Sequence, residues 1–203
     1  MQALGDPALV AMFHAHVRRV WTSGMIGGLE RSLAAAGLSS RLERPPAMCF
    51  LDITGYTRLT EERGDAAAAD LAEQLGRLVQ RISLEHGGRP VKWLGDGVML
   101  YFRDPGPGVL AALEMVAGVA GAGLPPAHVG LHAGPVVMQQ GDFYGQTVNI
   151  ASRIAEFARP GEVVVSQSVL DTTDLPELAF TALGPVDLKG VAGAMRLHSA
   201  RRA

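Results

Sequence analysis

The sequence predicts an α+β fold in which a mostly antiparallel sheet is flanked by helices, close to a ferredoxin-like βαββαβ arrangement. Three observations point there. After residue 45 the elements run strand, helix, hairpin, helix, strand, then a further helix and strands. A Gly95-Asp96-Gly97 turn joins two short apolar runs as a hairpin. Between strand-like runs, Leu71, Leu75, Leu78, Val79 and Ile82 recur at helical spacing and give one helix a buried stripe.

Taken in order, residues 7 to 21 place Leu9, Met12, Phe13, Val17, Val20 and Trp21 along one helical face. A second helical stretch over about 25–36 stops at Gly37, and Pro45-Pro46 cannot continue a helix. Residues 1–44 are therefore expected as an N-terminal helical extension and linker, and 45–203 as the main domain. The extension reads either as a hairpin packed on the domain or as a dimerising, signal-carrying element.

Met48–Leu51 reads as a buried strand, and Thr54-Gly55 turn the chain. Asp65 begins a helix through about Glu85, ended by His86-Gly87-Gly88. Val91–Leu94 and Val98–Phe102 are the hairpin strands. A small-residue helix runs from Pro105 to about Gly123. His128 to Met138 is expected as one long strand, with Gly130 and Gly134 as bulges or close backbone approaches. A loop to Gly141 leads to a helix from Gly145 to Ala158, stopped by Arg159-Pro160-Gly161. Glu162–Val165 is a strand, Ser166 caps a short helix, and two more strands fall near Phe180–Asp187 and Met195–Ser199.

Composition narrows the function classes. With 203 residues, 48% of them apolar, a sizeable core is available. A net charge of -2 gives no basic field for nucleic acid. The single cysteine, Cys49, permits no intrachain disulfide, which suits a reducing cytoplasm. The most apolar run, Val109–Leu124, is broken by Glu114 and too short to span a bilayer. The N-terminus lacks the order of a signal peptide.

The chemistry concentrates in three stretches. Asp52 stands at the carboxyl end of a buried strand, where an ionised carboxylate is costly unless a partner compensates its desolvation. A metal ion does so, or the aspartate caps the following helix. The amides of Ile53, Thr54 and Gly55 face outward at a helix start, where phosphate oxygens bind well. Asp96, in the hairpin turn, falls beside Asp52 if the hairpin pairs with the first strand. Two such carboxylates, with few His or Cys neighbours, favour Mg²⁺ or Mn²⁺. In the third stretch, Asp142 to Arg153, Asn149 and Arg153 are four apart and share a helix face. Arg153 brings a fork suited to phosphoryl oxygens, and Asn149 an amide able to orient a sugar.

Together the three stretches resemble the catalytic domain of class III nucleotidyl cyclases, from about Ala47 to the C-terminus and in the family's order. Phe50-x-Asp52-Ile53-x-Gly55-Tyr56-Thr57 resembles the first metal motif, Lys92-Trp93-Leu94-Gly95-Asp96 the segment with a base-reading lysine and the second metal aspartate, and Val148-Asn149-x-Ala151-Ser152-Arg153 the transition-state segment. Asp142 falls at the family's second base-selecting position.

The resemblance implies a class III cyclase fold and a head-to-tail homodimer with sites at its interface. It implies two divalent cations per site (Mg²⁺ or Mn²⁺), held by Asp52, Asp96 and the backbone of Ile53. Asn149 and Arg153 are the implied catalytic residues. Phe50, Thr54, Gly55, Tyr56, Lys92, Asp142 and Lys189 are the implied substrate contacts. A lysine donor with an aspartate acceptor matches adenine's N1 and N6, so ATP is the expected substrate and cyclic AMP the product. Tyr144 and Gln146 stand where many members carry tryptophan and aspartate. Lys189, in Leu188-Lys189-Gly190, lies near a triphosphate-binding lysine, though a surface lysine fits it too. The rival readings are a guanylyl cyclase and a cyclase-like regulatory module that binds nucleotide without turnover. A regulatory domain or partner upstream is compatible with the helical extension.

Overall fold

The computed structural model describes residues 45–203, and the side chains of all of these but 57–60, 63, 65 and 66. The helices expected over 1–44 lie outside the described residues. The elements are β1 (Ala47–Ile53), α1 (Tyr56–Glu85), β2 (Gly88–Leu94), β3 (Gly97–Phe102), α2 (Pro105–Gly121), β4 (Ala127–Ala133), β5 (Val137–Gln139), β6 (Asp142–Tyr144), α3 (Gln146–Phe157), β7 (Val163–Ser166), α4 (Gln167–Thr172), β8 (Leu178–Val186) and β9 (Met195–Arg202).

Seven strands form one sheet in the order β2-β3-β1-β4-β7-β9-β8. Its first four strands, in the order 2-3-1-4 and antiparallel throughout, are the expected ferredoxin-like core. The one parallel pair, β4 with β7, is joined through α3, as a crossover connection requires.

The pleat of β1 divides its side chains between two faces. Ala47, Cys49, Leu51 and Ile53 meet Leu75, Val79 and Ile82 of α1 and Val109, Ala112, Met115 and Val119 of α2. Each leucine, isoleucine, valine or methionine among these, fully buried, contributes about 1.5–3 kcal/mol. Burial also pushes the Cys49 thiol well above its usual range, so it is a core residue rather than a nucleophile. On the opposite face, α3 lies directly on β4. A Cβ at Gly130 would sit 2.1 Å from the amide nitrogen of Ala155, so only glycine lets the helix approach so closely. Ile150, Ile154 and Ala158 then pack with Val164, Leu188 and Leu197.

The structure departs from the sequence reading in several places. Helix α1 starts at Tyr56, not Asp65, and is kinked at Gly64, whose φ of 79° breaks the helical run. The Tyr56 hydroxyl donates to the Ala68 carbonyl at 3.0 Å and ties the two halves across that kink. The strand expected over His128–Met138 ends at Ala133, because Gly134 packs against Thr147 and Pro135 has no amide to donate. Residues 137–139 instead pair with 142–144 as a separate two-stranded hairpin, turned by Gln140 (φ 54°) and Gly141 (φ 83°).

Ser166 occupies the cap position of α4, but its hydroxyl makes no cap bond. It lies 2.7 Å from His132 Nδ1, with Ser168 Oγ 3.2 Å from the same nitrogen. Burial lowers the His132 pKa from 6.5 to about 4. The folded value lies below the unfolded one, so the stability this group contributes is complete above pH 6.5 and lost as pH falls toward 4. We expect a melting temperature lower by about 5 °C at pH 4.5 than at pH 7, with part of that slope removed in His132→Gln. Identical slopes in the two proteins would rule this source out.

Candidate active site

The sheet register assembles the site. Residues opposite one another on neighbouring strands share a face. Lys92 lies opposite Met99, Met99 opposite Phe50, and Phe50 opposite Gly130. Two residues further along β1, Asp52 lies opposite His128 of β4. Phe50, Asp52, Lys92 and His128 therefore occupy the face that α3 covers at Gly130, away from the α1–α2 core.

Asp52 and Asp96 are brought together as the sequence suggests. The Asp52 carboxyl is held above the usual carboxylate range, chiefly by burial and then by the charge of Asp96. His128 and the Ile53 amide pull in the other direction. Gly97 makes the approach possible. A Cβ there would lie 2.9 Å from Asp52 Oδ1 and 3.1 Å from the Leu51 carbonyl. Thr54 and Gly55 follow as an exposed turn, with Gly55 left-handed at φ 79° at the start of α1. Tyr56 contributes backbone here, since its ring packs on the core.

Sequence reasoning missed His128. Its side chain is 14% exposed and spans the two halves of this corner. Nε2 is 3.6 Å from Asp52 Oδ2, and Nδ1 is 3.2 Å from Thr54 Oγ1. Nothing local signals this, because the partners are more than seventy residues away in sequence.

The donor set suits a hard cation. Asp52 lies within electrostatic reach of Asp96, and it keeps 46% of its side chain exposed. Among the described residues no group of three or more His, Cys, Asp or Glu gathers as a self-sufficient metal cage. Mg²⁺ is bound in this way, through one or two carboxylates with substrate phosphates and water completing its shell.

Lys92 is exposed near the end of edge strand β2, past a bulge between Pro90 and Lys92. Asn149 is exposed and Arg153 half-buried on α3, on the side away from Ile150 and Ile154. Arg153 Nη1 donates to both carboxylate oxygens of Glu156, at 2.6 and 2.7 Å. Among the described residues no ion pair joins Arg153 to Asp52 or Asp96. Asp142 lies on β6, its Oδ1 accepting from the Phe143 amide at 2.9 Å. Lys189 is exposed, beside Leu188, which is buried with Ile150 and Ile154.

The seven-stranded, mostly antiparallel sheet flanked by helices has the architecture of a class III cyclase domain. Residues 126–200 match the family model described as the adenylate and guanylate cyclase catalytic domain. The chain is 32% identical to a pH-sensitive adenylate cyclase of Mycobacterium tuberculosis, over 97% of this chain and 50% of that relative. It is 31% identical to an adenylate cyclase of Streptomyces coelicolor, over 77% of this chain and 42% of the relative. An adenylyl cyclase structure from P. aeruginosa superposes with a TM-score of 0.70 at 21% identity, covering 79% of this chain and 95% of that one. The chain belongs to the class III nucleotidyl cyclase family, and it spans about half the length of the curated relatives it matches. No helix among the described residues is long and apolar enough to cross a membrane.

Proposed function

We propose that this chain is an adenylyl cyclase that converts ATP to 3′,5′-cyclic AMP and pyrophosphate at composite sites in a head-to-tail homodimer. The observation that carries this reading is the electrostatic proximity of Asp96 to Asp52 beside the Thr54-Gly55 turn. The ribose 3′-oxygen bonds to the α-phosphorus, the bond to the β-bridging oxygen breaks, pyrophosphate leaves, and the hydroxyl proton passes to solvent. Asp52, Asp96 and the Ile53 backbone would hold two divalent cations, Mg²⁺ or Mn²⁺. When bound, these supply charge for the triphosphate and a lowered pKa for the attacking hydroxyl.

The protein's own work is alignment and charge placement. The Thr54 amide is taken by the Pro126 carbonyl at 2.9 Å. Of the outward-facing amides expected from the sequence, the Gly55 amide, in the exposed turn, is therefore the one that meets phosphate oxygens. Phe50 and Tyr56 shape the strand and turn behind it. Arg153 stabilises charge growing on the α-phosphate, Asn149 orients the ribose, and Lys189 reaches the triphosphate. In this reading they act on the Asp52–Asp96 corner of a second copy. Arg153 resting on its own Glu156, rather than on Asp52 or Asp96, supports that division.

Lys92 donates to adenine N1 and Asp142 accepts from N6. Guanine reverses the pattern, so Lys92→Glu should lower kcat/KM for ATP by about a hundredfold and shift the ATP-to-GTP ratio toward GTP. Initial rates with the two nucleotides in parallel measure this. An unchanged ratio would remove Lys92 from base reading. Wild-type protein that prefers GTP would make the chain a guanylyl cyclase, and nucleotide binding without product would make it a regulatory module.

A further inference from the structure

His128 is in neither the metal motif nor the transition-state motif, yet it touches both the cation corner and the phosphate turn. We infer that His128 is a positioning residue that couples the Asp52 carboxylate to Thr54. The inference rests on the reading of Asp52 as a cation ligand.

The geometry leaves the ring little freedom. Asp52 and His128 are paired across the β1–β4 ladder, so their side chains leave the sheet side by side. The next turn is stapled to the same place, because the Thr54 amide donates to the Pro126 carbonyl at 2.9 Å. The imidazole thus lies between a carboxylate on one side and a hydroxyl on the other. Nδ1 lies 3.2 Å from the Thr54 hydroxyl, and Nε2 faces Asp52 Oδ2 at 3.6 Å. That separation is long for a hydrogen bond but close enough for the N–H dipole to orient the carboxylate. One oxygen is held toward the ring, and the other is left for the cation. Outer partners of this kind fix ligand orientation, and their loss costs about 10–100-fold in metal affinity. The same contact reports the cation's presence to Thr54, at the start of the phosphate turn.

The test is Mn²⁺ binding to the full chain, by calorimetry or electron paramagnetic resonance, in the presence of 3′-deoxy-ATP, which lacks the attacking hydroxyl. His128→Ala should weaken Mn²⁺ binding by about tenfold or more. His128→Gln, which returns an N–H donor toward Asp52, should recover most of that loss. Thr54→Val should cause a smaller loss, and none beyond that of His128→Ala in the double variant. If His128→Ala melts below the assay temperature, Thr54→Val carries the test in a folded protein: weaker binding supports the coupling, and unchanged binding overturns it. Wild-type affinity in a folded His128→Ala protein overturns the inference alone. Wild-type protein that binds no Mn²⁺ overturns the cation site, and the inference with it.

Discussion

Asp52→Ala is expected to lower cyclic AMP formation by about a thousandfold or more, with the fold retained. The side chain projects from β1 on the face opposite the α1–α2 core, and 46% of it is exposed, so its removal opens no cavity among Leu51, Ile53 and Val79. What is lost is one of the two carboxylates proposed to hold the cations. Asp52→Asn separates charge from shape. The folded pKa of Asp52 is raised by burial and by Asp96, so this group's stability contribution is present below its unfolded pKa and lost as pH rises through the folded one. At neutral pH and without divalent cations, the neutral amide should therefore be the more stable side chain. Because the carboxylate is nearly half exposed, solvent screens the effect, and a gain of about 2 °C in melting temperature is expected. Adding Mn²⁺ should raise the wild-type melting temperature and leave that of Asp52→Asn almost unmoved. An inactive Asp52→Asn protein with wild-type melting behaviour in both conditions would separate the activity loss from the charge argument.

Arg153→Ala should cost about a hundredfold to a thousandfold in kcat, with a smaller change in KM, because its fork acts on charge that develops in the transition state. The Arg153 side chain is 38% exposed and that of its partner Glu156 55% exposed, so the ion pair contributes little to stability. Its value as evidence lies in the mixture with Asp52→Ala. If sites are shared across a two-fold dimer, half the dimers in an equal mixture are mixed, and each mixed dimer has one intact site. About a quarter of wild-type activity should return. Crosslinked or co-purified mixed dimers without rescue would show that each chain uses its own Arg153 with its own Asp52.

The parts of the site that were legible in the sequence are those whose geometry is local. Asp52 at a strand end, Asp96 between turn glycines, and Asn149 and Arg153 at helical spacing each carry their placement in a few neighbouring residues. The βαββ order then suffices to bring the first two together. His128 and Gly97 were not legible as site residues, since each acquires its role only from strand register. His128 reads locally as a polar position in a strand. Gly97 reads as a turn glycine, although its missing Cβ is what lets Asp52 sit where it does. The hairpin that carries Asp142 was hidden for another reason. Its turn needs a positive φ at Gln140, where glutamine gives no signal of the kind asparagine or glycine gives. The early start of α1 was masked by Gly64, which looks like a stop and acts as a kink.

The most direct test is product identity. Purified protein is incubated with ATP and Mn²⁺ or Mg²⁺, and cyclic AMP and pyrophosphate are quantified together, with Asp52→Asn as the control. Equal amounts of the two products, dependent on the divalent cation and absent in Asp52→Asn, are the predicted result. Pyrophosphate without cyclic AMP, or cyclic AMP undiminished in Asp52→Asn, would contradict it.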